Sequence, residues 1–230
     1  RDTSPKRKCG WMRVLLFALL AWVAGKNPTF GQGLLVNGEN HTARVEAGEE
    51  DTWTFEAKQD DVVYLRMSSF TASFLRIYPR FSVRAPDGSD AGSGSGSLSY
   101  DADFSFRAAQ PGLFQVVAGS LLRDVGGSYT LRFVKVPAVP VIPANDQGGP
   151  LSSSNYFGTI PFGDLDSWTF EANQGDAIGI DMRELTGVGF SPSLQVHGPA
   201  GQLVASHTHP SLAHVSFLAP DSGIYVMVVS

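Results

Sequence analysis

The heptapeptide Asp51-Thr52-Trp53-Thr54-Phe55-Glu56-Ala57 returns almost letter for letter as Asp166-Ser167-Trp168-Thr169-Phe170-Glu171-Ala172, 115 residues later. That offset is too long for a solenoid repeat and suits one whole small domain. Each copy places Trp and Phe on one side and Thr, Ser and Glu on the other, the period of a half-buried strand. Both run into a similar continuation, Gln59-Asp60-Asp61-Val62 and Gln174-Gly175-Asp176-Ala177. The chain is therefore expected to hold two copies of one β-domain.

The remaining segments support the same division. Val62 to Met67 matches Ala177 to Met182, and Phe81 to Gly88 matches Leu194 to Gly201. Ala108 to Ala118 matches Ala219 to Val229. Pro86-Asp87-Gly88 and Pro199-Ala200-Gly201 are turn signals, and the Gly/Ser run from Ser89 to Ser99 is expected to be a loop. Residues 136–150 carry four prolines, a spacing that favours polyproline II and a semi-rigid spacer. The expected organisation is a leader at 1–31, a first domain at 32–135, a linker at 136–150 and a second domain at 151–230. In the first domain Tyr129-Thr130-Leu131-Arg132-Phe133 follows the last matched strand, whereas the sequence reaches Ser230 without a counterpart. The second copy is expected to be incomplete, lacking three large side chains worth about 1.5–3 kcal/mol each when buried.

Lys6, Arg7, Lys8 and Arg13 precede an apolar run from Val14 to Gly25, followed by small residues suited to cleavage. As a helix that run spans about 18 Å, short of the roughly 30 Å of a bilayer's apolar core, so an export signal fits better than an anchor. Contact with a membrane is then expected only in transit. Met12 offers an alternative start. Without residues 1–25 the chain has 12 basic and 21 acidic side chains, or −9. That sign repels nucleic acid. The single cysteine, Cys9, lies before the apolar run, so the exported part has no thiol and relies on packing or bound ions.

The ordered motifs resemble those of the bacterial pre-peptidase C-terminal domain. They are Asp51-Trp53-Phe55, Asp60-Asp61, Pro86-Asp87-Gly88, Ala109-Gln110-Pro111-Gly112 and Tyr129-Thr130-Leu131. In the second copy they are Asp166-Trp168-Phe170, Gly175-Asp176 and Ala219-Pro220-Asp221-Ser222-Gly223-Ile224-Tyr225. The resemblance implies an all-β chain of two tandem jelly-roll-like antiparallel β-sandwich domains after an N-terminal signal helix. It also implies a secreted accessory module, attachment to peptidases, binding of extracellular polymers such as collagen, and in some members structural calcium. The order here departs from the usual one, because the domains follow the signal with no peptidase before them.

No Gly-x-Ser-x-Gly elbow, His-Glu-x-x-His helix or phosphate-cradling glycine loop occurs in the sequence. Oxygen-rich pairs make calcium the more plausible ion: Asp51 and Asp166 at the heads of the repeated strands, Asp164 beside Asp166, Asp101 with Asp103, and Asp87 with Asp90. Solvated, turn-forming carboxylates are the competing explanation. His207, His209 and His214 resemble a zinc set, but Pro210 interrupts the strand. Trp53 and Trp168 are expected in the core, and Phe74, Tyr78 and Phe190 are candidates for an exposed contact surface. The expected role is a non-catalytic module that binds extracellular protein or polysaccharide, or spaces a neighbouring domain. The alternative is the N-terminal part of a secreted peptidase.

Overall fold

Short alternating runs broken by Gly, Pro and Asp give strands and turns throughout. A computed structural model of the chain describes residues 31–69, 77–96, 101–152, 154–185 and 190–230. The signal segment, Phe74 and the end of the Ser89–Ser99 run lie outside them. The described residues form only strands and connections. The first nine strands are β1 (Gly31–Leu34), β2 (Asn40–Val45), β3 (Asp51–Ala57), β4 (Val62–Ser68), β5 (Pro79–Arg84), β6 (Asp90–Ser95), β7 (Asp101–Arg107), β8 (Gly112–Ser120) and β9 (Gly127–Val136). They make two sheets, ordered β1-β3-β8-β5-β6 and β2-β9-β4-β7. All pairings are antiparallel except β1 with β3.

The two sheets share one core. Phe55 stacks on Phe114 at 5.3 Å and meets Phe133 from the other sheet at 4.7 Å. Val63, Leu65 and Met67 of β4 and Leu131 of β9 are fully buried beside them. Trp53 is also buried, and its indole N–H donates to the Tyr129 hydroxyl at 2.8 Å. That hydroxyl in turn donates to Asp51 Oδ2 at 2.7 Å. A buried carboxylate is tolerable here because a donor meets it. Tyr129→Phe strips both Asp51 and Trp53 of this partner and is expected to cost about 1–3 kcal/mol in urea unfolding. An unchanged midpoint would mean that water replaces the hydroxyl at no cost.

Part of the Gly/Ser-rich run expected to be a loop is instead the edge strand β6, paired with β5. Its smallness has a packing reason. A Cβ on Gly92 would meet the ring of Phe104, and one on Gly94 the ring of Phe81. The aromatic rings supply the bulk that the strand lacks, so composition alone suggests a loop where the structure has a strand.

The remaining strands are β10 (Gly148–Pro150), β11 (Asp166–Ala172), β12 (Ala177–Arg183), β13 (Ser193–His197), β14 (Leu203–Thr208), β15 (Leu212–Leu218) and β16 (Gly223–Val229). The sheet β10-β11-β16-β13-β14 repeats the order of β1-β3-β8-β5-β6, down to the parallel first pair. Its partner sheet contains only β12 and β15 among the described residues. Of the proline-rich stretch, Val136 still belongs to β9 and Gly148 already belongs to β10. The residues between are tied back to the first sandwich by Asn37. Its amide donates to the carbonyls of Lys135 (3.0 Å) and Ala138 (3.1 Å), and its own carbonyl accepts from the Val141 N–H at 2.8 Å.

Candidate functional site

Strands β4, β9 and β16 bury apolar side chains on both faces. Inward, Val63, Leu65, Met67, Tyr129, Leu131 and Phe133 fill the first core, while Tyr225, Met227 and Val229 fill the second. Outward, Tyr64, Val134, Val136, Val226 and Val228 form a third buried cluster that joins the two sandwiches. A strand buried on both sides loses the apolar–polar alternation and becomes a continuous apolar run. Val226-Met227-Val228-Val229 is such a run, and it is the sequence signal for this junction.

Polar contacts seal the same junction. The Tyr64 hydroxyl lies 2.6 Å from His197 Nε2 and 2.7 Å from Gln195 Oε1, both on β13. His197 Nδ1 lies 3.2 Å from the Gly201 carbonyl, which can only accept, so that nitrogen carries the proton, and Nε2 competes with Gln195 Oε1 for the single Tyr64 proton. Burial lowers the His197 pKa and pushes the Tyr64 hydroxyl up to about 12. Both therefore stay neutral across the physiological range. Gly163, at φ +78°, lets the chain pass against Ser68 of β4 where a Cβ would collide.

Beside Gly163 the chain gathers carboxylates. Asp146, Asp164 and Asp166 place an oxygen each within 4.8 Å of one another. Asp164 and Asp166 are buried. Asp164 accepts from Arg132 Nε of β9, and its backbone carbonyl accepts from Arg66 at 3.0 Å. Asp146 accepts from the Asn40 amide of β2 at 2.7 Å. The group thus spans the first sandwich, the linking segment and the head of β11. One buried oxygen, Asp166 Oδ1, has no hydrogen-bond partner. Burial, then the neighbouring Asp164 and Asp146 charges, push the Asp166 carboxyl up to about 8. Three carboxylates, one with an orphaned oxygen, fit a hard divalent cation of the calcium kind. The donor set does not suit zinc, which favours nitrogen and sulfur.

The sequence-predicted aspartates separate into distinct roles. Asp164 and Asp166 come together, and Asp146 joins them from the proline-rich stretch, where no spacing pattern points to it. Asp51, the counterpart of Asp166, is held by Tyr129. Asp101 and Asp103 lie on β7 outside this group, Asp103 exposed opposite Arg66 in the strand register. Asp87 and Asp90 accept from the backbone N–H two residues on, at 3.0 Å each, as turn-formers do. The histidines stay on the surface. His214 pairs with Asp181 at 2.5 Å, and its backbone N–H donates to His207 Nδ1 at 2.9 Å. Asp101 and Phe190 both line an open cleft of about 350 Å³, together with Arg66, Phe162 and Asp164.

No family model matches the chain, and no curated protein matches it. Among solved structures it is similar to the pre-peptidase C-terminal domain of a collagenase from Bacillus anthracis. That similarity has 13% identity and a TM-score of 0.39, over 47% of this chain and 99% of the other. The chain is also similar to a structure from an archaeal virus described by its triple jelly roll fold and turret assembly. There the identity is 10% and the TM-score 0.23, over 84% of this chain and 59% of the other.

Proposed function

We propose that this is an exported, non-catalytic accessory protein in which two copies of one sandwich domain are packed into a rigid spacer. It holds a neighbouring module or an extracellular polymer at a fixed distance. The observation that carries this is the third apolar cluster, Tyr64, Val134, Val136, Val226 and Val228, which turns two domains into one body. Domains tethered by a solvated linker have no reason to bury such a cluster. Calcium held by Asp146, Asp164 and Asp166 belongs to the same proposal. It would neutralise the carboxylate group where the linking segment meets both sandwiches, and so stiffen the junction rather than take part in chemistry. The partner class proposed is an extracellular protein or polysaccharide, as the motif resemblance in the sequence implies.

Nitrogen-15 relaxation of the chain tests the spacer directly. Residues 31–136 and 148–230 are expected to report a single rotational correlation time. Two distinct times would remove the proposal and favour independent binding domains on a tether.

A further inference from the structure

The second sandwich is covered on one side less well than the first. In the first, β4 lies between β7 and β9. In the second, β12 pairs with β15 over the same seven positions, and its other edge has no strand against it among the described residues. The inward residues of β12, Ile178, Ile180 and Met182, are only half-buried, as are Trp168 and Phe170 across the core. Their counterparts Val63, Leu65, Met67, Trp53 and Phe55 are all buried, and all five lie against β9 or pair with it.

The polar atoms agree. Two buried carboxylate oxygens of the second sandwich lack a partner, Asp166 Oδ1 and Glu184 Oε1. The positions that match them are Asp51 and Ser69, and both bond to β9: Asp51 to the Tyr129 hydroxyl and Ser69 to the Ser128 carbonyl. Half-buried apolar groups and orphaned polar atoms thus converge on the place that one strand fills in the first sandwich. Residues 155–161, at the positions that match β2, form no strand; Tyr156 meets the Trp168 ring at 5.3 Å and Ile160 packs on the second core, whereas β2 in the first sandwich pairs with β9.

We infer that the free edge of β12 is an acceptor for one antiparallel strand of β9's own type, with Tyr, Leu and Phe at alternate inward positions. In the register of β9 on β4, the Phe falls opposite Ile180 and the Leu opposite Met182. The Tyr lies just past Arg183, where its hydroxyl meets Asp166 and Trp168 as Tyr129 meets Asp51 and Trp53. Main-chain pairing supplies the affinity and the alternate side chains the specificity, as in strand addition generally.

The test appends residues 121–136 of this sequence after Ser230 and follows amide hydrogen exchange together with melting. The appended chain is expected to protect Ala177–Arg183 by at least about tenfold and to raise the melting of the second sandwich by about 10 °C. Phe in place of the appended Tyr should lose part of that gain, and a scrambled segment all of it. A synthetic peptide of residues 127–136 added to the unmodified chain should reproduce the protection at high concentration. Equal protection from the scrambled segment would overturn the inference. So would a concentration-dependent dimer of the unmodified chain that already protects β12, because the occupant would then be a second copy.

Discussion

Val226→Asp is expected to separate the two sandwiches while leaving each folded. Val226 is fully buried, and it points away from the second core into the cluster with Tyr64, Val134 and Val136. A carboxylate placed there meets no cation among those side chains, and a buried unpaired charge costs several kcal/mol. Opening the junction costs less than keeping the charge dry, because the first and second cores do not depend on the cluster. The opened form should show two rotational correlation times and a larger radius of gyration in solution scattering. Val226→Thr is the control: it has a similar volume and one hydroxyl to satisfy, so it should leave the tumbling unchanged. An aspartate variant that still tumbles as one body would show that the Arg132–Asp164 contact and Asn37 hold the halves without the apolar cluster.

The second large effect concerns Asp166 and pH. Its carboxyl sits at about 8 in the folded chain and near 3.8 when unfolded. Between those values the folded state holds the proton more tightly, so the contribution of Asp166 to stability is fully present below about pH 4 and is lost as pH rises towards 8. At about 1.4 kcal/mol per unit, the loss is on the order of 3–5 kcal/mol once relaxation is allowed for. Asp166→Asn should therefore stabilise the calcium-free chain at pH 8 and flatten this part of its pH profile. Calcium competes with the proton for the same oxygens, so its stabilising effect should grow from pH 5 to pH 8 and disappear in the variant. A wild-type melting temperature that ignores both pH and calcium would show that the three carboxylates are relieved by water instead.

Much of the fold was legible in the chain. Period two at Trp53-Phe55 identified a core strand, whereas Trp168, expected in the core as well, is only half-buried like Phe170; the two five-stranded sheets that hold the repeated heptapeptides have the same strand order. Three features resisted. The strand β6 is nearly all Gly, Ser and Ala, because Phe81 and Phe104 fill the space above it. Asp146 joins Asp164 and Asp166 only through the path of the linking segment, which no local pattern encodes. The junction was hidden for a different reason: a strand buried on both faces has the same apolar run whether its second neighbour is a helix, a sheet or another domain. Asp164 and Asp166 were visible as a close pair, but the pairing of Asp51 with Tyr129 requires the sandwich to close first.

The junction is head-to-tail, since different faces of the two sandwiches meet. Contacts of that kind can in principle repeat without end and build a fibre. Here the composition of the outer faces prevents it. The outward positions of β12 are Ala177, Gly179, Asp181 and Arg183, where β4 has Val62, Tyr64 and Arg66, and those of β8 are Leu113, Gln115 and Val117, where β16 has Ile224, Val226 and Val228. Neither face repeats the unbroken apolar row that joins the first two: Asp181 and Arg183 interrupt one, and Gln115 the other. The same strand plan therefore sticks once and then stops, and the polymerisation limit of this pair is set by a handful of outward side chains rather than by its fold.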